Sequence, residues 1–448
     1  MQFVIAFEKK LRRDFRTQRW DDDLSKTEGE LRKANMAGSA ARVVPTGGEE
    51  PPQIQMMKAI VLREYGDESK LNVSFSTPQP QPAPGHVVLR VRTCALSRLS
   101  DLPAREGLYD HFLELRSSSV SSSTTDSSSA ARYAVLGYEV SGEIHSVGEG
   151  VTSADCTIGD EFIGICSIQS LLCGLAEYVM LPLFSIVRKP SILSHFQAAA
   201  SILPSIIAYS SLHYRIHLSR GETVLIMNGA DETGHLALQI ASNCFGARVI
   251  TTVSSMEQLN YLQDIRTPSL IRVVDLRSEN LVDALLEETG GLGVNGIMDV
   301  LPRFNSPPSS SSSETSSEPT VIVINEPEPF STASPARILP HLDIPLKDLI
   351  LCLSAHATLV TNREDIVLDP VICGVLQKKS ASLSFFTPHT WTTLPLQRGR
   401  LLHVLVDALQ HVATENLVPK FQTFPVENIR QAHRSLGTCE VGRIVIKM

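Results

Sequence analysis

Between Thr223 and Val300 the chain alternates short apolar runs with helical patterns. TVLIM, ARVITTV, IRVVDL and GIMDV read as strands, and HLALQIASNCF, MEQLNYLQD and ENLVDALLEETGG read as the helices between them. A further helix, FQAAASILPSIIAYSSLHYRI, precedes the first strand. A strand, a helix and a parallel return strand bury apolar side chains on both faces of a sheet. Repeating that unit dictates an α/β fold with a parallel, doubly wound sheet. The helix over 279–289 runs out at Gly290, a residue suited to the left-handed position that closes a helix.

Upstream the rhythm is different. MKAIVL, HVVLRVRTCAL (86–96), YEVSGEIHSVG (138–148), DEFIGICSI (160–168) and AEYVMLP (176–182) are β-patterned and separated by Gly, Pro and Asp. They predict a β-rich, barrel-like domain. Residues 1–56 are polar and end in PTGGEEPPQ, which predicts a disordered extension with one short helix at 5–20. Two serine tracts, SSSVSSSTTDSSS (117–129) and PPSSSSSETSSEP (307–319), have too little apolar surface to pack and are expected to be surface insertions. After about 360 the pattern is less regular, closing with a helix at IRQAHRSL and a strand at VGRIVIKM. The resulting division is an extension over 1–56, a barrel domain over 57–190 with an insertion at 117–129, and a parallel-sheet domain over 191–361 with an insertion at 305–335. The segment 362–448 is expected to return to the barrel.

The net charge of −8 over 448 residues argues against an extended basic face for nucleic acid. No apolar stretch approaches the ~20 residues of a spanning helix. The start, MQFVIAFEKKLRRDFRTQRWDDD, lacks the long apolar core of a secretory signal and carries too many acids for a mitochondrial presequence. Eight cysteines are scattered without CxxC pairs, which fits free, mostly buried thiols in a cytoplasmic protein.

The stretch VLIMNGADETGHLALQIA (224–241) passes from strand through a tight turn to helix, as a dinucleotide-binding unit does. Gly229 and Gly234 take the first and third glycine positions, for the turn and for helix–strand packing, and Ala230 and Thr233 lie between them. Asp231 stands where a second glycine lets a pyrophosphate approach, and Glu232 follows. A carboxylate ~5 Å from a phosphate, at an effective dielectric of roughly 20 to 40, costs about 2 to 3 kcal/mol. Asp231 is also placed to cap the helix, accepting from the amides of Thr233 or Gly234, which are the amides a phosphate needs. Ser254 and Ser255 end the second strand where NAD-preferring sites carry an acid, which favours NADPH. Ser254 also suits a helix N-cap. Two readings stay open: a working dinucleotide site, and a self-capped loop that binds weakly or not at all.

Several motifs resemble the medium-chain dehydrogenase/reductase superfamily, in its zeta-crystallin-type quinone oxidoreductase branch. They are AREGLYD (104–110), LGYEVSGEIHSVGEGV followed by GDEF, GLAEYVMLP, GGLGVNGIMDV and VGRIVI. The resemblance runs from Met57 to Met448, interrupted by the serine tracts. It implies a GroES-like catalytic domain, a Rossmann cofactor domain and NADPH-dependent reduction of quinones or activated alkenes. It also implies that Tyr109 lines the substrate pocket and that Asp299 borders the cofactor. A homodimer is a prior from the superfamily.

Zinc-dependent members carry a ligand histidine where this chain has Tyr138, and a ligand cysteine near Ser97 or Arg98. No zinc is expected. Cys156, Cys166 and Cys173 are read as buried thiols rather than as a site with His145 or His111. Other departures are Ile207 in Ile207-Ala208-Tyr209, where the family has a hydroxyl, and Pro302 closing Asp299-Val300-Leu301-Pro302. His213, His217 and His235 are expected on helix surfaces, His356 as a space-filler near a strand turn, and Arg105 as a solvated side chain. The alternative function is a reductase fold kept as a binding or scaffold protein.

Overall fold

The computed structural model describes residues 55–109, 133–265, 267, 269–302, 344–393, 398–415 and 417–448. The helix expected at 5–20 and both serine tracts lie outside them.

The barrel half contains β1 (Met56–Leu62), β2 (Leu71–Pro78), β3 (His86–Leu96), β4 (Glu139–Val147), β5 (Glu161–Ile165), β6 (Tyr178–Pro182) and β7 (Ile186–Arg188). The parallel-sheet half contains β8 (Thr223–Ile226), β9 (Arg248–Val253), β10 (Leu270–Asp275), β11 (Val294–Asp299), β12 (Leu353–Thr361) and β13 (Ser382–Phe385). The chain then returns to the barrel with β14 (Phe421–Pro425) and β15 (Arg443–Lys447).

Strands β8 to β13 form one parallel sheet in the order β10-β9-β8-β11-β12-β13. The order reverses between β8 and β11, and a ligand crevice opens at such a switch point, outside the carboxyl ends of the strands. Alternation along β8 explains its place. Val224 and Ile226 join a core on one sheet face, and Leu225 joins the core on the other. All three are fully buried, each contributing about 1.5 to 3 kcal/mol of apolar transfer.

The barrel sheet runs β14-β15-β3-β4-β5-β7, with β6 paired to β3, and β1 pairs with β2. The last strand, β15, runs antiparallel to β3. Segment 362–448 is therefore shared between the halves. Its β13 adds to the parallel sheet past residue 361, while β14 and β15 add to the barrel.

The helix His195–Tyr209 carries a complete capping box, in which Ser194 Oγ accepts from the Gln197 amide and Gln197 Oε1 from the Ser194 amide. It runs on through a π-helical segment, Ser210–Ile216, and stops at His217 in the left-handed conformation. Among the described residues no helix is long and apolar enough to cross a membrane.

Candidate functional site

The turn after β8 lies at the switch point. Its left-handed residue is Asn228, with φ at 51°, and not the Gly229 expected to make the turn. Gly229 has a different role. A Cβ there would fall 2.2 Å from Thr251 Oγ1, so glycine permits close contact with β9. A Cβ on Gly234 would fall 2.1 Å from the Asn228 carbonyl oxygen and 2.8 Å from Gly229 Cα. The two glycines thus let the helix start pack onto its own turn.

Asp231 turns inward. Its Oδ1 accepts from the Thr233 amide at 2.9 Å and the Gly234 amide at 2.7 Å. The side chain is buried, and Oδ2 has no hydrogen-bond partner. Burial pushes its pKa up to about 6, against the pull of the Arg98 charge and the donated amides. The backbone is fixed too: the Asp231 amide donates to the Asn228 carbonyl, and the Asp231 carbonyl accepts from His235 Nδ1 at 2.8 Å. His235 is fully buried, which corrects its expected place on a helix surface. Burial lowers its pKa to about 4, so the ring is neutral and Nε2 is left unpaired.

Glu232 turns outward, to the barrel. Oε2 accepts from the Arg98 amide at 3.0 Å and Oε1 from Ser97 Oγ at 3.2 Å, with Arg98 Nε 4.0 Å away. Arg98 Nη1 donates to the Cys439 carbonyl, and the Gly442 amide donates to the Ala230 carbonyl. The whole loop is covered; Ala230, Asp231, Glu232 and Thr233 are each at most 2% exposed, and Gly234 is buried. Two amides that a pyrophosphate would use are already taken, so the loop as it stands does not fit that group. A dinucleotide requires Asp231 to withdraw first.

The ribose end is occupied by helix-start contacts. Ser255 Oγ accepts from the Gln258 amide, so Ser255 is the N-cap and not Ser254. Ser254 instead donates to Gln258 Oε1 through its amide at 2.8 Å. At the far end of the crevice Asp299 is fully buried, its Oδ2 accepting from Arg363 Nε at 2.9 Å and Thr361 Oγ1 at 3.1 Å. Asn362 bonds both the amide and the carbonyl of Leu301. These contacts fasten the ends of β11 and β12 together ahead of Pro302.

On the barrel side, the loop Ser97–Asp101 gathers a second group. Tyr109 donates to the Leu99 carbonyl at 3.0 Å. His389, from the segment after β13, places Nε2 3.1 Å from Ser100 Oγ and 3.4 Å from the Leu99 carbonyl. Its ring meets that of Tyr109 edge-on at 6.1 Å. Burial lowers the His389 pKa to about 4 and raises that of Tyr109 above the ordinary phenol value. At neutral pH the cluster is an uncharged phenol, hydroxyl and imidazole, with His389 Nδ1 buried and unpaired. Asp101 anchors the loop by accepting from the amides of Ser97 and Gly137, and burial raises it to about 7.

Tyr138 is buried with its hydroxyl unpaired, beside Glu139, which pairs with Arg443. Among the described residues no three His, Cys, Asp or Glu side chains are grouped to hold a metal. Cys156, Cys166 and Cys173 are free and buried. Arg105 is buried and donates to the Gly66 carbonyl and Glu106, which corrects its expected solvation. His356 lies exposed at a left-handed irregularity in β12 and fills no space. The sequence pattern missed Glu232 as a cross-lobe tie and Ser100–His389 as a pair, because both join distant parts of the chain.

Comparisons with known proteins agree with this architecture. No protein-family model matches the chain. It is 32% identical over 280 residues to mouse (Mus musculus) quinone oxidoreductase-like protein 1, covering 62% of this chain and 72% of that one. It is 28% identical over 255 residues to the chloroplastic NADPH-dependent alkenal/one oxidoreductase of Arabidopsis thaliana, covering 56% and 59%. Among solved structures, CurK enoyl reductase superposes with a TM-score of 0.64 at 21% identity, over 88% of this chain and 99% of that chain. A mycobacterial quinone oxidoreductase superposes with a TM-score of 0.62 at 22% identity, over 88% and 100%. At those identities the two structures establish the fold: a GroES-like domain with a Rossmann domain.

Proposed function

The chain belongs to the medium-chain dehydrogenase/reductase superfamily, on its quinone oxidoreductase-like side, and from that premise we propose that it is a zinc-free oxidoreductase reducing a quinone or activated alkene with NADPH. One observation carries this. The five-residue loop Ser97–Asp101 touches both the turn after β8, through Glu232, and the Tyr109–Ser100–His389 cluster. A dinucleotide whose pyrophosphate sits at that turn and an acceptor seated by that cluster would be neighbours.

The nicotinamide, when bound, supplies hydride, and a conjugated acceptor spreads the arriving charge over its own π-system. What remains for this chain is to hold the acceptor's oxygen with a donated hydrogen bond as negative charge develops on it, while solvent supplies the proton that completes the reduction. Tyr109 suits that task. Its raised pKa keeps the phenol protonated at neutral pH, and its hydroxyl has one lone acceptor, the Leu99 carbonyl, to leave. NADPH is favoured over NADH because neither Ser254 nor Ser255 is an acid that would repel a 2′-phosphate.

A second reading, a reductase fold acting as a binding or scaffold protein, is favoured by Asp231 holding the Thr233 and Gly234 amides. Turnover separates the two. The purified chain is mixed with NADPH and a panel of quinones and α,β-unsaturated ketones, and NADPH consumption is followed. Acceptor-dependent consumption that falls at least ~10-fold in Tyr109→Phe supports the reductase. NADPH bound at saturation without consumption by any acceptor supports the second reading.

A further inference from the structure

We propose that Asp231 and Glu232 form a two-part carboxylate latch, one part filling the phosphate seat of the turn and the other tying the turn to the barrel, so that a dinucleotide binds only by displacing both. This deepens the reductase reading and rests on it, since it takes the turn to be the dinucleotide's seat.

The two acids are adjacent in sequence and point in opposite directions. Asp231 Oδ1 lies 2.9 and 2.7 Å from two amide nitrogens at the helix start, the distances a phosphate oxygen would adopt. A side chain of the loop itself therefore stands in for the ligand. The replacement is imperfect: Oδ2 is buried and makes no hydrogen bond, leaving a charged group incompletely satisfied. A phosphate that accepted from the same amides and reached solvent with its remaining oxygens would not carry that penalty.

Glu232 supplies the second part. Its bonds to Ser97 Oγ and the Arg98 amide join the parallel-sheet half to the barrel across the crevice. Charge pairing with Arg98 at 4.0 Å holds it there, in surroundings where Glu232 and Arg98 are almost fully buried. The crevice is shut by the residues that would line it.

Release is a side-chain event. The Asp231 backbone is held at both its amide and its carbonyl, by Asn228 and His235. Rotation of the Asp231 side chain frees the two amides without unfolding the turn. Rotation of Glu232 removes the turn's tie to Ser97 and Arg98, at one end of the loop on which Ser100 and Leu99 carry the acceptor-side cluster. Opening for the cofactor and repositioning of that cluster are thereby coupled through one five-residue loop.

The test is a binding measurement that does not depend on turnover. Isothermal titration gives Kd for NADPH and for ADP-ribose, which lacks the nicotinamide, with the full chain and three variants. Asp231→Gly/Glu232→Gly empties both positions, and Asp231→Ala/Glu232→Ala does so without adding backbone freedom. Asp231→Asn keeps an oxygen for the two amides and removes the charge. Circular dichroism establishes that each variant is folded. The latch predicts that both double variants bind both probes at least ~10-fold more tightly than the natural chain, while Asp231→Asn gains much less. Equal affinity in the natural chain and the folded double variants overturns the latch and leaves the dinucleotide seat standing. An equal gain in Asp231→Asn overturns the occupancy part, because charge alone would then set the affinity. Absence of binding in every folded form overturns the dinucleotide seat, and the latch with it.

Discussion

Glu139 and Arg443 face each other in a two-pronged ion pair, at 2.5 Å between Oε1 and Nη2 and 2.6 Å between Oε2 and Nη1, with both side chains buried. The contact reaches across 304 positions of sequence and joins β4 to β15. Its other bonds extend the tie: Glu139 Oε2 accepts from the Leu203 amide, and Arg443 donates to the carbonyls of Leu96 and Ala200. Barrel, C-terminal strand and the helix His195–Tyr209 meet on this pair. Removing one partner leaves an uncompensated buried charge, which costs about 3 to 5 kcal/mol. Glu139→Leu and Arg443→Met should each lower unfolding free energy by that order in urea titrations. The double replacement Glu139→Leu/Arg443→Met should cost less than the two single changes combined, because no lone charge remains.

Gly234 offers a cleaner stability test than a binding test. A Cβ at 2.1 Å from the Asn228 carbonyl oxygen meets backbone, which cannot swing aside as a side chain can. Gly234→Ala should destabilise the parallel-sheet half by about 1 to 3 kcal/mol through overpacking. Thermal unfolding should show a lower midpoint in the absence of any cofactor. An unchanged midpoint would mean that the turn relaxes away from the contact.

The parallel sheet was legible in the sequence because each strand is a run such as TVLIM, whose alternate residues fill cores on opposite faces. The strand–turn–helix of the candidate site was legible for the same reason, as was the option of Asp231 capping its own helix, which needs only residues two and three positions away. Contacts between distant segments were not. Glu232 meets Arg98 across 134 positions and Ser100 meets His389 across 289, and no local periodicity encodes either. His235 was misplaced because one polar residue on a six-residue helix does not reveal its face; the carbonyl of Asp231 that accepts the hydrogen bond from its Nδ1 is what lets it be buried. The left-handed residue fell on Asn228 rather than Gly229 because the glycine was needed for contact with Thr251.

Acid sensitivity follows from buried titratable groups of opposite sign. Burial holds His235 and His389 at about 4 and His433 at about 3, below the usual 6.5. In each, the folded chain resists a proton that the unfolded chain takes, so stability is lost as pH falls from 6.5 toward 4. Each contributes a slope of up to about 1.4 kcal/mol per pH unit. Asp101 and Asp231 act the other way. Burial raises them to about 7 and about 6, against an ordinary 3.8, so the folded chain takes the proton first and their terms favour folding as pH falls toward 3.8. Denaturant titrations at pH 7, 6 and 5 should show His433→Leu losing less stability on acidification than the natural chain. Asp101→Asn should lose more. A change of slope in the opposite direction for either variant would contradict the burial assignment.

Tyr109 and His389 divide the acceptor side between contact and support. Tyr109 is the group placed to touch an acceptor, while His389 reaches it through ring contact and through Ser100 and the shared Leu99 carbonyl. Loss of the Tyr109 hydroxyl should reduce kcat by about 10- to 100-fold, in the range of a lost general acid or oxyanion donor, with a smaller change in KM. His389→Gln keeps a hydrogen-bonding side chain near Ser100 and should reduce kcat less, by about 3- to 10-fold. The pH profile tells positioning from direct proton donation. His389 titrates near 4, far below working pH, so a positioning imidazole leaves the profile between pH 6 and 8 unchanged when it is replaced. A limb of the kcat profile that vanishes in His389→Gln would instead show that its proton is transferred in the rate-limiting step. Steady-state kinetics of the natural chain, Tyr109→Phe and His389→Gln across that range decide between the two roles.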